Sequence, residues 1–277
     1  MRQRWKEVGL GLLTLLAIAL AIAGCQNIYR KHLPADIGQL AVALTALLVY
    51  LAGARWIEGR RAQELAPGRV SPELAQGLVL GFALFSAVMA ILWAMHVYHP
   101  ARWAGASGAS RWLTLAIMSG IVEELLFRGI LFRLSARIVG TWGALLFTSA
   151  LFGLAHLGNH GATVASSVAI TLEAGVLLGA AYAMTTRLWL PIGLHIGWNF
   201  TEGAVFGMSV SGNSADAGWL RGSLSGSSLL TGGQFGPEAS IVAVLVCLAV
   251  AIYLLHQTVK LGRIQPPAWS RAARPTA

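Results

Sequence analysis

The chain has 277 residues, of which 56% are hydrophobic and 11% are charged, and its formal net charge is +9. Soluble globular domains carry about 25% charged residues, so this composition excludes an ordinary water-exposed globular protein. It predicts an all-α, polytopic integral membrane protein.

Apolar windows long enough to cross a bilayer, about 17–25 residues each, recur along the whole chain. We predict about eight transmembrane helices, near 8–24, 37–54, 77–95, 113–133, 141–157, 163–185, 188–204 and 239–257. The windows divide the chain into about three N-terminal transmembrane helices (1–109), a core region (110–205), a flexible Gly/Ser-rich loop (206–238), and a last transmembrane helix with a cytoplasmic tail (239–277).

Basic residues are unevenly distributed among the connections between these helices. If the N-terminus is cytoplasmic and the helices alternate in direction, most Arg and Lys residues fall on the cytoplasmic side, and only Arg30, Lys31, Arg102, Arg111 and Arg221 fall outside. This positive-inside distribution predicts that both termini are cytoplasmic. We expect the basic residues to meet anionic lipid headgroups rather than nucleic acid, because no basic patch is interleaved with stacking aromatics.

The first predicted helix has an alternative interpretation. The basic start MRQRWK, followed by an apolar run that ends in Ile22–Cys25, resembles a bacterial lipoprotein signal with Cys25 as the lipidated residue. We favour an ordinary signal-anchor helix, because lipoprotein signals usually export soluble proteins. The chain's two cysteines, Cys25 and Cys247, have no spacing that indicates a disulfide framework or a cysteine metal site.

Two adjacent carboxylates, Glu123 and Glu124, interrupt the fourth apolar window. A charge near the bilayer centre costs at least about 2.5–3.5 kcal/mol, so such residues normally face a protein interior or a wet cavity. Glu124 and Arg128 are four residues apart and share a helix face, which predicts an ion pair. Glu123 points about 100° away from Glu124. An unpaired carboxylate in a pocket of low dielectric suits a general base, so Glu123 is a candidate for that role.

Histidines occur in two further windows. Phe152 and His156 are one helical turn apart, and His195 and Asn199 have the same spacing. A lone histidine on an apolar helix is usually a hydrogen-bonded core residue, but polar groups on three separate helices favour convergence on one site. Glu173 and Glu202 are undecided: Glu173 could face the same cavity or pair elsewhere, and Glu202 could line the site or be solvated near the end of its helix.

These residues carry a resemblance to a known family. EELLFR (123–128), FGLAH (152–156) and HIGWN (195–199) resemble, in this order, the EExxxR, FxxxH and HxxxN/B motifs of the CPBP intramembrane proteases, which include the type II CAAX prenyl proteases (Rce1-like) and the Abi and bacteriocin-processing proteins. The resemblance covers about residues 110–205, the expected catalytic core.

The resemblance implies an endopeptidase that hydrolyses a membrane-associated peptide or protein, with Glu123 activating a water molecule and His156 assisting. His195 and Asn199 would hold the water or stabilise the oxyanion, while Glu124, Arg128 and Phe152 would support the site. The family is also described as metalloproteases, so zinc or another divalent metal held by His156, His195 and Glu123 stays open beside a metal-free mechanism. We expect a bacterial inner (plasma) membrane; the sequence does not indicate an oligomeric state.

Two other functions compete with this interpretation. Gly105–Gly108 contains the GxSG pattern of rhomboid serine proteases, with Ser107 as nucleophile and His156 downstream as base, although a turn is the simpler explanation of this Gly/Ala/Ser-rich connection. A non-proteolytic transporter, immunity protein or scaffold could use the same polar cluster for proton relay or partner binding.

Overall fold

The computed structural model describes residues 2–101, 103–105, 108–214 and 218–270, and it is almost entirely helical. Its α-helices are α1 (Arg2–His32), α2 (Ala35–Ala52), α3 (Val70–Ala94), α4 (Ala109–Glu124), α5 (Arg133–Ala155), α6 (Val164–Ile170), α7 (Val176–Thr185), α8 (Trp189–Phe200), α9 (Ser228–Thr231) and α10 (Ile241–Lys260). Strands β1 (Tyr98–His99) and β2 (Ser223–Leu224) form a short antiparallel pair.

Four π-helical segments continue these helices. They are Gly53–Ile57 after α2, Leu125–Phe132 between α4 and α5, Thr171–Gly175 between α6 and α7, and Thr201–Val205 after α8. Segments of this kind are rare in proteins and are frequently found at functional sites. The second begins directly after Glu124, and the last two contain the buried Glu173 and Glu202.

Among the residues that the structure describes, six helices are long and apolar enough to cross a membrane, which confirms the all-α membrane class. The count of eight is not confirmed, for two structural reasons. The windows 113–133 and 141–157 fall within one helical stretch, Ala109–Gly158. The window 188–204 forms 12 residues of α-helix followed by 5 of π-helix, which is short for a membrane span.

The long helical stretch is interrupted at Gly140, whose φ of 75° is open to glycine and strained for other residues. The chain beyond α10 returns to this break. Thr141 N–H donates to the Gln265 carbonyl at 2.9 Å, and Gln265 N–H donates to Thr141 Oγ1 at 2.8 Å. The C-terminal segment therefore binds both the backbone N–H and the side-chain hydroxyl of Thr141 at this interruption.

Helices α3 and α8 meet along a contact made by glycines. A Cβ atom on Gly81 would lie 2.2 Å from the Leu194 carbonyl oxygen, and one on Gly197 would lie 2.4 Å from that of Leu78. Only glycine permits backbones this close. His195 and Asn199 are each two residues from Gly197, about 200° around the helix, so the glycine contact with α3 turns them toward the interior.

The segment after α8 folds back over the ends of α5 and α6. Gly212 N–H donates to the Phe235 carbonyl at 2.8 Å, and Asn159 Nδ2 donates to the Ser211 carbonyl at 3.0 Å. Phe235 is fully buried in a small cluster with Phe152 and Ile170. This packing brings Ser211 and the turn Pro237–Ala239 next to the polar residues of α5 and α8.

Candidate functional site

Glu124 lies at the centre of a fully buried polar group. Its Oε1 accepts a hydrogen bond from Arg128 Nη1 at 2.8 Å, as their spacing predicts, and it also lies 3.1 Å from His195 Nδ1. Arg128 Nη2 donates to the Gly175 carbonyl at 3.0 Å. Arg128 thus joins the end of α4 to the π-helical segment before α7, while Glu124 fixes the orientation of the imidazole on α8.

Glu123, the neighbouring carboxylate, has a different environment. Its Oε2 lies 3.9 Å from His156 Nε2 and 4.0 Å from His195 Nε2. These separations are too long for direct hydrogen bonds. Glu123 Oε2 is buried and has no hydrogen-bond partner among the described residues. The structure therefore brings one free carboxylate oxygen next to two imidazole nitrogens.

Phe152 holds the second imidazole in place. Its carbonyl oxygen lies 2.7 Å from His156 Nδ1, and its ring centroid lies 4.7 Å from the His156 ring. The guanidinium of Arg128 sits over the same phenyl ring at 4.7 Å, a cation–π contact. The buried phenylalanine thus connects the two histidine-bearing helices to the Glu124–Arg128 pair.

Asn199 lies one turn beyond His195 and donates from Nδ2 to Ser119 Oγ at 3.0 Å. Both residues of α8 line a small cavity that is walled by Phe152, His156, Trp198, Ser211, Glu173 and Glu238. The volume that the centre of a water molecule can occupy in this cavity is about 20 Å³. That space is enough for one water molecule in a polar site.

The candidate metal ligands lie farther apart in this structure than the ligands of a bound zinc ion. Two ligands of a tetrahedral zinc ion, each about 2.0–2.1 Å from the metal, are about 3.4 Å apart. The Glu123 oxygen is farther than this from both histidine nitrogens. Across residues 2–101, 103–105, 108–214 and 218–270, no group of three His, Cys, Asp or Glu is arranged to hold a metal ion.

Sequence reasoning missed several residues of this site. Ser119 was not predicted because a serine on an apolar helix carries no distinctive pattern. Ser211 and Glu238 were not predicted because they belong to the Gly/Ser-rich connection between α8 and α10, whose path the sequence does not indicate. A possible signal for Glu238 was an acidic residue directly before an apolar span. Ser107, the alternative nucleophile, lies outside the described residues.

Comparison with known proteins agrees with the predicted resemblance. Residues 105–201 match the family model described as "Type II CAAX prenyl endopeptidase Rce1-like". This segment contains all three motifs, which confirms the resemblance to the CPBP and CAAX protease family. No curated protein and no solved structure matches the chain. The family match supports an intramembrane endopeptidase of the CAAX type, a hydrolase embedded in the membrane.

Proposed function

We propose that the protein is an intramembrane endopeptidase that hydrolyses peptide bonds with a water molecule activated by Glu123. The observation that carries this proposal is the unpartnered Glu123 Oε2, about 4 Å from the Nε2 atoms of two histidines. Polar groups at this separation are commonly bridged by water. A water held there could donate one hydrogen to the carboxylate and the other to an imidazole, leaving a lone pair for attack.

The other nitrogens of the histidines support this arrangement. His156 Nδ1 lies 2.7 Å from a carbonyl oxygen, so in the neutral ring it must carry the proton and donate it. His195 Nδ1 lies 3.1 Å from the Glu124 carboxylate, which likewise favours a proton on that nitrogen. Both Nε2 atoms are then left as acceptors that face Glu123, suited to orient a water molecule.

Asn199 is the proposed donor for the oxyanion of the tetrahedral intermediate. One of its two Nδ2 hydrogens goes to Ser119, and the other is available on the cavity side. A positioned amide donor of this kind stabilises the charge that develops on the carbonyl oxygen. Glu124, Arg128 and Phe152 act as positioning residues, because their contacts fix the two imidazoles.

We further propose that the substrate is a membrane-associated peptide or protein segment and that the active site works within a bacterial inner membrane. Both termini are proposed to be cytoplasmic. The ion pairs Arg133–Glu58 and Arg187–Glu73 support this orientation, since they gather basic residues near the helix ends that the charge distribution assigns to the cytoplasm. A Glu123-activated water is proposed in preference to a metal-bound one.

The test compares the full-length wild type with Glu123→Gln, a nearly isosteric change that removes the base. Each purified protein is reconstituted in proteoliposomes and incubated with membrane proteins of the source cell, and new peptide N-termini are quantified by mass spectrometry. We expect cleavage to fall by about 10²–10⁴-fold in the variant. Glu73→Gln is the matched control, because Glu73 is also buried but pairs with Arg187.

Two outcomes would redirect the assignment. If the wild type yields no new N-termini beyond those of Glu123→Gln, the protease proposal fails and the transporter, immunity or scaffold alternative takes its place. If chelation by EDTA and phenanthroline abolishes cleavage and Zn²⁺ restores it, a metal-dependent mechanism replaces the proposed one. Unchanged cleavage after chelation supports the carboxylate mechanism.

A further inference from the structure

Three more buried glutamates lie beside the cavity. Glu173, Glu202 and Glu238 expose 2%, 0% and 3% of their surface. Glu173 has a donor, because Oε1 accepts the Cys247 thiol at 3.6 Å. Glu202 comes from the π-helical segment after α8, and Glu238 from the turn before α10, so two distant parts of the chain bring their carboxyls together.

The contacts of this pair require a proton. Glu238 Oε1 accepts the Ser211 backbone N–H at 2.6 Å. Neither oxygen of Glu202 has an N–H or O–H donor within the described part of the chain, but the Glu238 carboxyl lies within hydrogen-bonding reach. Two ionised carboxylates only repel, whereas a carboxyl and a carboxylate share one proton in a hydrogen bond. One proton shared between the two carboxyls of this buried dyad would satisfy both of them.

The charged and titratable groups around the dyad favour keeping this proton. Glu173 acts on the pair from the segment before α7 and adds negative potential when ionised, whereas the Cys247 thiol on α10 is a neutral donor to Glu173. His156, at the end of α5, is the exception, because its charge when protonated lowers the pKa of the Glu238 carboxyl. Arg128 already bonds Glu124 and two backbone carbonyls. Burial raises the pKa of the Glu238 carboxyl.

The dyad also has access to the reacting atoms. Glu238 lines the same cavity as His156, His195 and Asn199. If the protein is a peptidase, as proposed above, the departing amine must gain a proton when the C–N bond breaks. Glu123 is assigned to the incoming water, and the histidine Nε2 atoms are acceptors in their neutral form. A separate acid on the leaving-group side would spare Glu123 from carrying its proton across to the amine.

We propose that Glu238, sharing a proton with Glu202, is the catalytic acid that protonates the leaving amine. The water oxygen bonds to the carbonyl carbon while its proton moves to Glu123. The C–N bond then breaks, its electron pair goes to nitrogen, and the nitrogen takes the proton of Glu238. Glu123 returns its proton to the dyad through cavity water, so one peptide and one water give one carboxylic acid and one amine.

The experiment uses the full-length protein in proteoliposomes and a synthetic peptide that spans a cleavage site found in the mass-spectrometric assay. A second substrate replaces the scissile amide with an ester, whose alcohol leaves with much less need for protonation. We expect Glu238→Gln to slow amide cleavage by about 10²–10⁴-fold. The same variant should slow ester cleavage by less than about tenfold. A purely structural role would reduce both rates equally.

Glu202→Gln provides the second readout and keeps the test valid if Glu238→Gln does not fold. Without the neighbouring carboxylate, Glu238 loses its proton at a lower pH. The alkaline decline in amide cleavage should therefore begin about one pH unit or more below that of the wild type. Glu73→Gln again serves as control and should match the wild type in rate and pH profile.

The outcomes separate this inference from the proposed function. If the wild type cleaves and Glu123→Gln does not, but Glu238→Gln keeps its amide rate within threefold, only the acid assignment is overturned. The acid assignment is also overturned if the alkaline part of the pH–rate profile does not shift in Glu202→Gln. Equal losses of amide and ester cleavage in Glu238→Gln overturn it as well. If the wild type cleaves nothing, both proposals fail together.

Discussion

Two groups of buried carboxylates in this protein differ in their access to arginine. Near the ends of α2 and α5, a basal cluster of Glu58, Arg60, Glu64 and Arg133 pairs each acid with at least one guanidinium, at 2.7–2.8 Å. Near the cavity, Arg128 bonds Glu124, while Glu123 and Glu202 have carboxylate oxygens that no N–H donor of the described residues reaches. Paired acids stabilise the helix ends, and unpaired acids remain available for proton transfer.

The comparison explains why the EExxxR motif needs both of its glutamates. Arg128 bonds one carboxylate, Glu124, through Nη1, and its Nη2 donates to the carbonyls of Ala174 and Gly175. Because Glu124 takes the cation, Glu123 is left without it in the same polar environment. A single glutamate could not be both the anchor of the arginine and a free base.

The largest expected effect is on stability and follows from removing Arg128, which anchors Glu124 and leaves Glu123 as a free base. Arg128→Met leaves the Glu124 carboxylate buried without its cation and should lower the free energy of unfolding by about 3–5 kcal/mol. Arg133→Met is the matched variant, because Glu58 keeps Arg60, and it should cost about 1–2 kcal/mol. Equilibrium unfolding in detergent micelles measures both. Equal losses would contradict the distinction between the two clusters.

The next effect concerns the cavity's amide donor. Asn199→Ala should reduce cleavage by about 10²–10³-fold, the usual result of removing one oxyanion donor. Ser119→Ala removes only the partner of that amide, so it should reduce cleavage by less than about tenfold. Rates are measured on the synthetic peptide with proteins of matched thermal stability. A larger loss in the serine variant would place the oxyanion donor elsewhere.

A smaller, pH-dependent effect is expected in the basal cluster. Burial acts to raise the pKa of Glu58, but hydrogen bonding to Arg60 and attraction by Arg133 outweigh it and hold the pKa below the ordinary value. The paired carboxylate therefore stabilises the fold above the ordinary carboxyl pKa of about 4.3, and this contribution is lost as pH falls through the lowered value.

Glu58→Gln tests this sign directly. At pH 7 the variant should be less stable than the wild type by about 1.5–3 kcal/mol, because it loses hydrogen bonds to charged groups. The difference should shrink as pH falls below about 4.3 and vanish once Glu58 is protonated in the folded wild type. Equilibrium unfolding of both proteins at pH 7, 5, 4 and 3 measures this difference in stability. A difference that grows toward low pH would refute the assignment.

The smallest effect is expected where solvent reaches an ion pair. Arg137 and Glu7 form a contact whose side chains are 36% and 42% exposed. Exposed pairs of this kind contribute about 0–1 kcal/mol and are screened by salt. Glu7→Gln should therefore lower stability by less than about 1 kcal/mol in low salt, with no difference from the wild type in 1 M NaCl. A salt-independent loss would indicate that the pair is shielded.

Local patterns in the sequence predicted the class of the fold and much of the site. Apolar windows indicated a helical membrane protein, the four-residue spacing predicted the Glu124–Arg128 pair, and three ordered motifs indicated the family. Each of these signals lies within a single helix, where geometry follows from residue spacing. The roles of Glu123, His156, His195 and Asn199 remain predictions that the structure makes chemically plausible by bringing them together.

Long-range features could not be predicted in the same way. The contact of Glu124 with His195 joins residues 71 positions apart. Glu238 reaches the cavity because the chain between α8 and α10 folds back, and no periodicity in that Gly/Ser-rich segment indicated its path. The number of spans was also uncertain, since hydropathy reports length and composition but not whether a helix continues through a residue such as Gly140.

The glycine contact between α3 and α8 limits the directions from which the cavity can open to a substrate. Backbones that touch with no side chain between them leave no crevice for an extended polypeptide, so that side of the catalytic helix is sealed. Another wall is made by Ser211, Glu238 and the segment that carries them, held by side-chain hydrogen bonds and by the buried ring of Phe235. A peptide can reach the glutamate and histidines only from a direction other than α3.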